Sequence, residues 1–347
     1  MPSSASTSAA PTAPAAPAKA DSGPQPAAAR EPAASSSGFD VTVRQLRWEA
    51  DGVVSLQLDR AGGGPLPPWE PGAHVDLVLP TGIQRQYSLC GPTGEESSYR
   101  IGVRRERASR GGSEYLHAFL RPGQRLRLKG PRSNFAFRPA ASYVFVAGGI
   151  GITPILPMIR QAESEGTPWR LLYGGRTAAS MPFLDELRHY GSRVSLYPAD
   201  TVGRMPLDSL FAEVEPGAKV YACGPASLLS ALDEAVAHWP QDTLHIERFK
   251  ARPKAPADDK PVDVECRASG TTVAVPAGRS ILDGLEDAGI RVPASCRSGL
   301  CGSCETTVLE GVPDHRDEIL SADEREAGDR MFVCVSRACT PRLVLDL

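Results

Sequence analysis

Cys296, Cys301 and Cys304 stand within nine residues of one another in SCRSGLCGSCETTV, in a chain of 347 residues with only eight cysteines. Three thiols cannot all pair as disulfides, and the spacing is C-x4-C-x2-C. The residues between them include Ser298, Gly299, Gly302 and Ser303, which are small and turn-prone. Such a loop wraps an inorganic core, and its glycines let backbone N–H groups face the sulfurs. Two tetrahedral irons need four thiolates. The fourth is expected at Cys334 in MFVCVSRAC, with 29 residues between it and Cys304. Plant-type 2Fe–2S proteins use this spacing with a distant fourth cysteine. A zinc site, which usually shows two close pairs, is one alternative. Unrelated buried cysteines are another, and Cys339 is an alternative to Cys334. FVCV reads as a buried strand and favours Cys334. Cys90 and Cys266 read as core residues.

A second chemistry-bearing stretch is YVFVAGGIGITP, where Gly148, Gly149 and Gly151 follow an apolar run, with Thr153 and Pro154 behind them. Backbone without side chains admits a pyrophosphate. Pro154 suits a first helical turn, whose free N–H groups attract an anion. The pattern is not G-x-G-x-x-G, so a plain tight turn remains an alternative. YACGPASLL places Cys223, Gly224 and Pro225 at the end of another strand, again entering a helix. Two strand ends on one edge of a parallel sheet form the crevice where α/β folds bind ligands.

A third is RQYSL, residues 85–89. Arg85 and Tyr87 share one face of a strand, with Ser88 beside them. An arginine beside an aromatic ring suits a phosphate attached to a flat ring system. SRGGSEYLH sets Gly111, Gly112 and Ser113 at the start of a helix, a second anion nest. Alone, Tyr87 reads as a half-buried sheet tyrosine; the company of the other motifs favours a flavin.

These residues need elements to place them. Residues 1–38 are mostly Ala, Pro and Ser and are expected to be disordered, having too little apolar surface to offset ordering entropy. Residues 39–138 carry six short alternating strands broken by Gly and Pro, the pattern of an antiparallel barrel or sandwich. Residues 139–249 alternate strands with helical stretches such as ILPMIRQAESEG, FLDELRHY and ASLLSALDEAVAHW, which argues for a parallel α/β sheet. Residues 250–261 read as a linker. Residues 262–347 open with two strands and a helix capped by Ser280, then the cysteine loop and closing strands.

The composition is that of a globular protein, 41% hydrophobic and 23% charged, with a net charge of −3. That total points neither to nor away from nucleic acid, and no nucleic-acid partner is expected. No apolar run reaches the eighteen residues of a membrane span. The first twenty residues lack a basic start and an apolar core, so no secretory signal is expected. Reduced cysteines as metal ligands fit the cytoplasm. From Val262 onward 15 Asp and Glu stand against 9 Arg, a net −6; the preceding 261 residues hold 26 acidic and 29 basic, a net +3. Opposite signs favour docking of the cluster domain on the flavin half.

The order of parts resembles that of the phthalate dioxygenase reductase family, and most of all its vanillate O-demethylase reductases. The likeness runs from Phe39 to Leu347 and is densest in SCRSGLCGSCETTVLEGVPDHRDEILS. It implies an antiparallel β-barrel flavin domain, an α/β parallel-sheet nicotinamide domain and a β-grasp plant-type ferredoxin domain. It implies FMN, NADH and one 2Fe–2S cluster. Arg85 and Ser113 would take the FMN phosphate, with Gly111 and Gly112 in the same turn, and Tyr87 and Ser88 the isoalloxazine. The Gly148–Thr153 turn and the Cys223–Pro225 turn would hold NADH, and Phe249 would cover the flavin. Electrons would leave for a separate Rieske-type oxygenase component, from a chain expected to be a monomer. Arg176, after LLYGG, departs from the pattern, since an arginine there can accept a 2′-phosphate; NADH is still expected. A thiolate-haem monooxygenase as acceptor, and a redox-sensing iron–sulfur protein, are the competing readings.

Overall fold

The structure, a computed structural model, describes residues 38–107, 109, 111–252 and 259–347. The expected tail, apart from Gly38, and residues 253–258 of the expected linker lie outside the described residues.

The first sheet is built from β1 (Phe39–Ala50), β2 (Val53–Arg60), β3 (Ala73–Val78), β4 (Gln84–Ser88), β5 (Ser98–Arg104) and β6 (Arg125–Ser133). The strands pair antiparallel in the order β4-β3-β6-β1-β2-β5. A further antiparallel bridge, Leu89 to Ile101, joins the two ends and closes the sheet into a barrel. Closure leaves no long free edge. Alternate residues such as Val41, Val43, Leu56, Leu58, Val75 and Leu77 fill its interior, and the short helix α1 (Gly112–Ala118) adds Leu116.

The second sheet is parallel. It comprises β7 (Ser142–Gly148), β8 (Trp169–Gly175), β9 (Val194–Pro198), β10 (Ala218–Cys223) and β11 (Leu244–Glu247), in the order β11-β10-β7-β8-β9. Tyr143, Phe145 and Ala147 of β7 face one core, shared with α2 (Ile152–Glu165). Val144 and Val146 face the other, shared with α5 (Ala226–Ala235). A strand covered on both faces reads as an unbroken apolar run, as YVFVA does. Two one-turn helices, α3 (Leu184–Leu187) and α4 (Leu207–Leu210), lie in the connections. The helix expected over FLDELRHY is thus short: a 3-10 stretch follows α3 and is broken at Gly191, where φ is 58° and ψ −130°. The chain reverses its direction of sheet growth between β7 and β10, so a crevice lies at the carboxyl ends of those two strands.

The third sheet follows the hairpin β12 (Val262–Cys266) and β13 (Thr271–Val275) and the helix α6 (Ile281–Asp287). Ser280 caps α6, its hydroxyl accepting from Asp283 N at 3.0 Å. Then come β14 (Glu305–Glu310), β15 (Pro313–Asp314), α7 (Ala322–Ala327), β16 (Arg330–Phe332), β17 (Arg337–Ala338) and β18 (Arg342–Leu345). The order β13-β12-β18-β14-β16, with β12 and β18 parallel, is a mixed sheet. Its core takes Ile281, Leu282 and Leu285 from α6, as a β-grasp fold requires. FVCV is strand only as far as Phe332. Cys334 lies in the turn beyond it, where Val335 and Ser336 both donate to the Phe332 carbonyl at 3.1 and 2.9 Å. The tight turn, rather than a strand pleat, points the sulfur inward.

Candidate functional site

A cavity of about 370 Å³ opens where the three sheets meet. Arg85, Tyr87, Ser88 and Ser113 line it from the barrel. Thr153, Glu247 and Phe249 line it from the parallel-sheet domain, and Leu300, Glu318 and Ile319 from the third. Six residues singled out in the sequence thus share one space: Arg85, Tyr87, Ser88, Ser113, Thr153 and Phe249. Cys223 and the turn glycines sit behind its wall rather than in it.

On the barrel side, β4 follows β3 in antiparallel register, with Tyr87 opposite Val75 and Ser88 opposite His74. Burial pushes the pKa of the Tyr87 hydroxyl up against the pull of Arg85, so it stays a neutral phenol. Arg85 Nη1 donates to the Gln84 carbonyl at 2.8 Å. A Cβ on Gly112 would come within 2.8 Å of Arg85 Cγ, so the glycine makes room for the arginine stem. Ser113 Oγ is buried, accepts from Glu106 N at 3.1 Å and bonds Ser109 Oγ at 3.1 Å.

On the opposite wall, the two strand-end turns press on each other. A Cβ on Gly151 would lie 2.2 Å from the Cys223 carbonyl oxygen, and one on Gly148 would lie 2.5 Å from Pro225 Cδ. Those two glycines are required by turn-on-turn packing. Gly149, with φ +53°, meets no atom within 4 Å of its Cβ position and faces open space. Thr153 Oγ1 donates to the Ile150 carbonyl at 2.9 Å. Its methyl packs close to Gly102 of the barrel, where a Cβ would lie 2.7 Å from Thr153 Cγ2.

Glu247 carries no local signal in the sequence, although it stands two residues before Phe249. The parallel register of β10 and β11 sets Cys223 beside Glu247. The Glu247 carboxyl faces the Cys223 thiol and the Ser88 hydroxyl of the barrel, both of which work to lower its pKa. Burial raises its pKa to about 8, so near neutrality it is largely a protonated acid. Burial, then Glu247, pushes the Cys223 thiol up as well, so it is no thiolate. His74 carries no local signal either. Burial first, then Arg132, lowers its pKa to about 4 against the opposing effect of Asp76, so the ring is neutral. Glu247 Oε2, His74 Nε2 and Arg248 Nη2 are buried without a hydrogen-bond partner among the described residues, and all three residues line the cavity. Buried polar atoms are rarely left unpaired. Three of them around one space fit a ligand with several polar atoms, as a flavin or nicotinamide has.

The four predicted cysteines are gathered in the third domain, with Cys301, Cys304 and Cys334 buried and Cys296 half-buried. Electrostatics couple them as two pairs, Cys296 with Cys301 and Cys304 with Cys334, and among the described residues no three of them are drawn together closely enough to hold a metal ion. Within each pair one sulfur is held below the ordinary thiol range by its partner, Cys296 and Cys334, and the partner is pushed above it, Cys301 and Cys304. Ser298 N and Leu300 N point at Cys296 Sγ at 3.3 and 3.5 Å, and Ser303 N at Cys301 Sγ at 3.5 Å. Amides aimed at sulfurs suit thiolates, and four cysteines in one domain match the ligand count of a cluster of two irons. Gly299 has φ +70° and packs against Val335 and Asp317, which fixes the loop. Cys339 is exposed and stands apart, its Sγ 3.9 Å from the Pro313 carbonyl.

Comparison with known proteins matches residues 145–234 to the oxidoreductase NAD-binding domain family and residues 264–339 to the 2Fe-2S iron-sulfur cluster binding domain family. The chain is 42% identical to the phenoxybenzoate dioxygenase subunit beta of Ectopseudomonas oleovorans, over 91% of this chain and 99% of that one. It is 40% identical to the phthalate dioxygenase reductase of Burkholderia cepacia, over 85% and 93%. It is 39% identical to the vanillate O-demethylase oxidoreductase of a Pseudomonas strain, over 89% and 100%. Among solved structures, phthalate dioxygenase reductase, described as modular for electron transfer from pyridine nucleotides to [2Fe-2S], superposes with a TM-score of 0.66 at 39% identity. That match covers 89% of this chain and 98% of that one. An intact type IV self-sufficient cytochrome P-450 monooxygenase superposes with a TM-score of 0.85 at 43% identity, over 92% of this chain. This chain spans only 43% of that protein's length.

Proposed function

Since this chain belongs to the phthalate dioxygenase reductase family and is an oxidoreductase, we propose that it carries electrons from NADH, through FMN and a 2Fe–2S cluster, to a separate Rieske-type oxygenase component. The observation that carries this reading is the single cavity with one wall from each sheet. A flavin supplies the exchange between a two-electron hydride and the one-electron steps of an iron cluster, which is the reason to join three domains in one chain.

The chain's own residues then hold and orient. Arg85 and Ser113 take the FMN phosphate, charge-assisted on the Arg85 side. Tyr87 and Ser88 line the ring system. The Gly149 turn and Thr153 receive NADH, with the Cys223–Gly224–Pro225 turn beside the nicotinamide. Glu247, a protonated acid, keeps a proton at its carboxyl between Ser88 and Cys223 and offers its unpartnered Oε2 to the bound rings. Phe249, 41% exposed at the cavity edge, covers the flavin. Cys296, Cys301, Cys304 and Cys334 hold the cluster. The domain spans that go with this are 39–138 for FMN, 139–249 for NADH and 262–347 for the cluster.

Cofactor extraction with iron and sulfide analysis tests the reading. FMN, two irons and two sulfides per chain are expected. One zinc without labile sulfide, or FAD as the sole flavin, overturns it. The likeness to the self-sufficient cytochrome P-450 supports a second reading, in which the acceptor is a thiolate-haem monooxygenase. NADH-driven reduction of each acceptor class separates the two. A redox sensor would reduce neither them nor an artificial acceptor.

A further inference from the structure

The barrel wall behind β3, β4 and β6 carries a set of polar side chains that the functions above leave unused. Asp76 of β3 is 1% exposed, and both its oxygens are engaged. Gln86 Nε2 donates to Oδ1 at 3.1 Å and Arg132 Nη2 to Oδ2 at 2.6 Å. The register between β3 and β6 slips by one residue between His74 and Asp76. A bulge of this kind re-aims a side chain, and here Arg132 turns out of the sheet toward the cysteine loop. Its Nε donates to the carbonyl of Cys301 at 3.4 Å. Asn134 Nδ2, two residues on, donates to the carbonyl of Leu300 at 3.4 Å.

A second run of hydrogen bonds reaches the same cysteine from β4. Lys129 Nζ donates to Gln84 Oε1 at 3.3 Å, and Gln84 Nε2 donates to Ser295 Oγ at 2.6 Å. Ser295 N donates to Ser303 Oγ at 2.9 Å, and Ser303 Oγ lies 3.0 Å from Cys301 Sγ. Both runs start on the barrel and end on Cys301, one at its carbonyl and one at its sulfur. Leu300, bonded to Cys301, lines the shared cavity.

We propose that Arg132, locked by Asp76, and Gln84 are positioning residues that seat the 299–303 loop on the barrel wall and so set the separation between the cavity and the cluster. Neither side chain lines the cavity, so neither belongs to the flavin or nicotinamide contacts. The proposal rests on the reading that this cavity holds the flavin. Electron tunnelling falls steeply with distance, so a loop released from its seat slows delivery to the cluster without slowing reduction in the cavity.

The test uses the full-length holoprotein with Arg132→Ala, Arg132→Lys and Gln84→Ala. Hydrogen–deuterium exchange of residues 299–303 should rise at least tenfold in Arg132→Ala, while β12 amides, in the core of the same domain, stay as in wild type. In stopped flow with NADH, flavin bleaching should stay within twofold of wild type and cluster bleaching should fall at least tenfold. Arg132→Lys, which keeps a donor, should recover part of both losses. Gln84→Ala, which leaves the Asp76 pair intact, should show smaller changes of the same kind and serves if Arg132→Ala fails to fold. Loop exchange and cluster bleaching unchanged in the folded variants overturn the proposal. Wild type whose flavin NADH does not bleach overturns the functional reading instead, and the exchange measurement still decides the seating, because it needs no electrons.

Discussion

The parallel-sheet domain and the cluster domain both rest on the barrel, but through different chemistry. At the first joint Arg100 of the barrel and Arg160 of α2 both pair with Glu186, and both donate to the Cys90 carbonyl, at 2.9 and 2.8 Å. Cys90 and Phe135, which flank barrel strands, belong to the apolar core of the parallel-sheet domain, and the Phe135 ring meets Tyr221 edge-on at 5.5 Å. At the second joint the apolar core of the cluster domain takes no barrel residue. Its contacts with the barrel are hydrogen bonds from Gln84, Arg132 and Asn134; Glu318 also faces Arg248, just past β11 of the parallel-sheet domain, at 3.7 Å and Arg252 beyond it at 3.6 Å. A hydrogen bond is worth about 1 kcal/mol net, whereas a shared core gains with every buried square ångström. The first joint is sealed by a shared apolar core; the second is held by polar contacts.

Cys301→Ala probes that contrast most severely. Cluster-dependent reduction of an acceptor should be abolished, while flavin bleaching by NADH in stopped flow stays within a few fold of wild type. Loss of both together would mean that the domains do not divide as their joints suggest.

Glu186→Ala attacks the first joint. It leaves two guanidinium groups facing each other. Their side chains are 21% and 27% exposed, which places the cost between that of an exposed and a buried pair, at about 2 kcal/mol. Urea unfolding of wild type and variant measures it. Burial works to raise the Glu186 pKa, but Arg100 and Arg160 outweigh it and hold the carboxyl below its usual value. Its contribution is therefore full above the unfolded value of 4.5 and is lost as pH falls through the lowered one. A variant as stable as wild type at pH 7 would show that the apolar contacts alone close this joint.

Glu247 crosses the same joint, from β11 to Ser88, with the opposite sign. Its folded pKa of about 8 lies above the unfolded 4.5, so between them the folded state holds a proton that the unfolded state has released. Stability should fall as pH rises through that window, by at most about 1.4 kcal/mol per pH unit. Glu247→Gln, unfolded in urea at several pH values without nicotinamide, should flatten the decline. The same slope in both proteins would place the proton elsewhere.

Arg176→Ala lies outside both joints and is the smallest change. Arg176 is exposed at the end of β8. The NADH to NADPH ratio of specificity constants should move by less than threefold. A wild type that prefers NADPH, with the preference cut at least tenfold by the substitution, would reverse the choice of nucleotide, since pairing with a 2′-phosphate is worth roughly 1.5–3 kcal/mol.

What could be read from the sequence divides along the same line. The cysteine loop, the glycine turns and Arg85–Ser88 are local patterns, visible from short spacing alone. The six barrel strands were legible because alternation survives in a sheet with one buried face, and YVFVA because a strand covered on both faces loses it. Glu247 and His74 were not legible. Their meaning comes from register: Ser88, Cys223 and Glu247 meet only when β4 closes on β3 and β11 pairs with β10. Gln84 and Ser295 are 211 residues apart, and no local pattern announces that they touch. Spacing singles out Cys334, but it lies in a turn and not in the expected strand, because the buried residues of a tight turn look like those of a pleat.

The three-walled cavity also bears on where electrons are wasted. A reduced flavin open to solvent gives its electrons to dioxygen and makes peroxide. Leu300, Glu318 and Ile319 form the wall that belongs to the third domain. Were that domain lifted away, the cavity would lose one wall and a flavin bound there would lose its electron outlet and meet dioxygen together, so a reductase would act as an oxidase. The seating of one loop thus bears on yield as well as speed: how many of the electrons drawn from NADH reach a protein instead of oxygen.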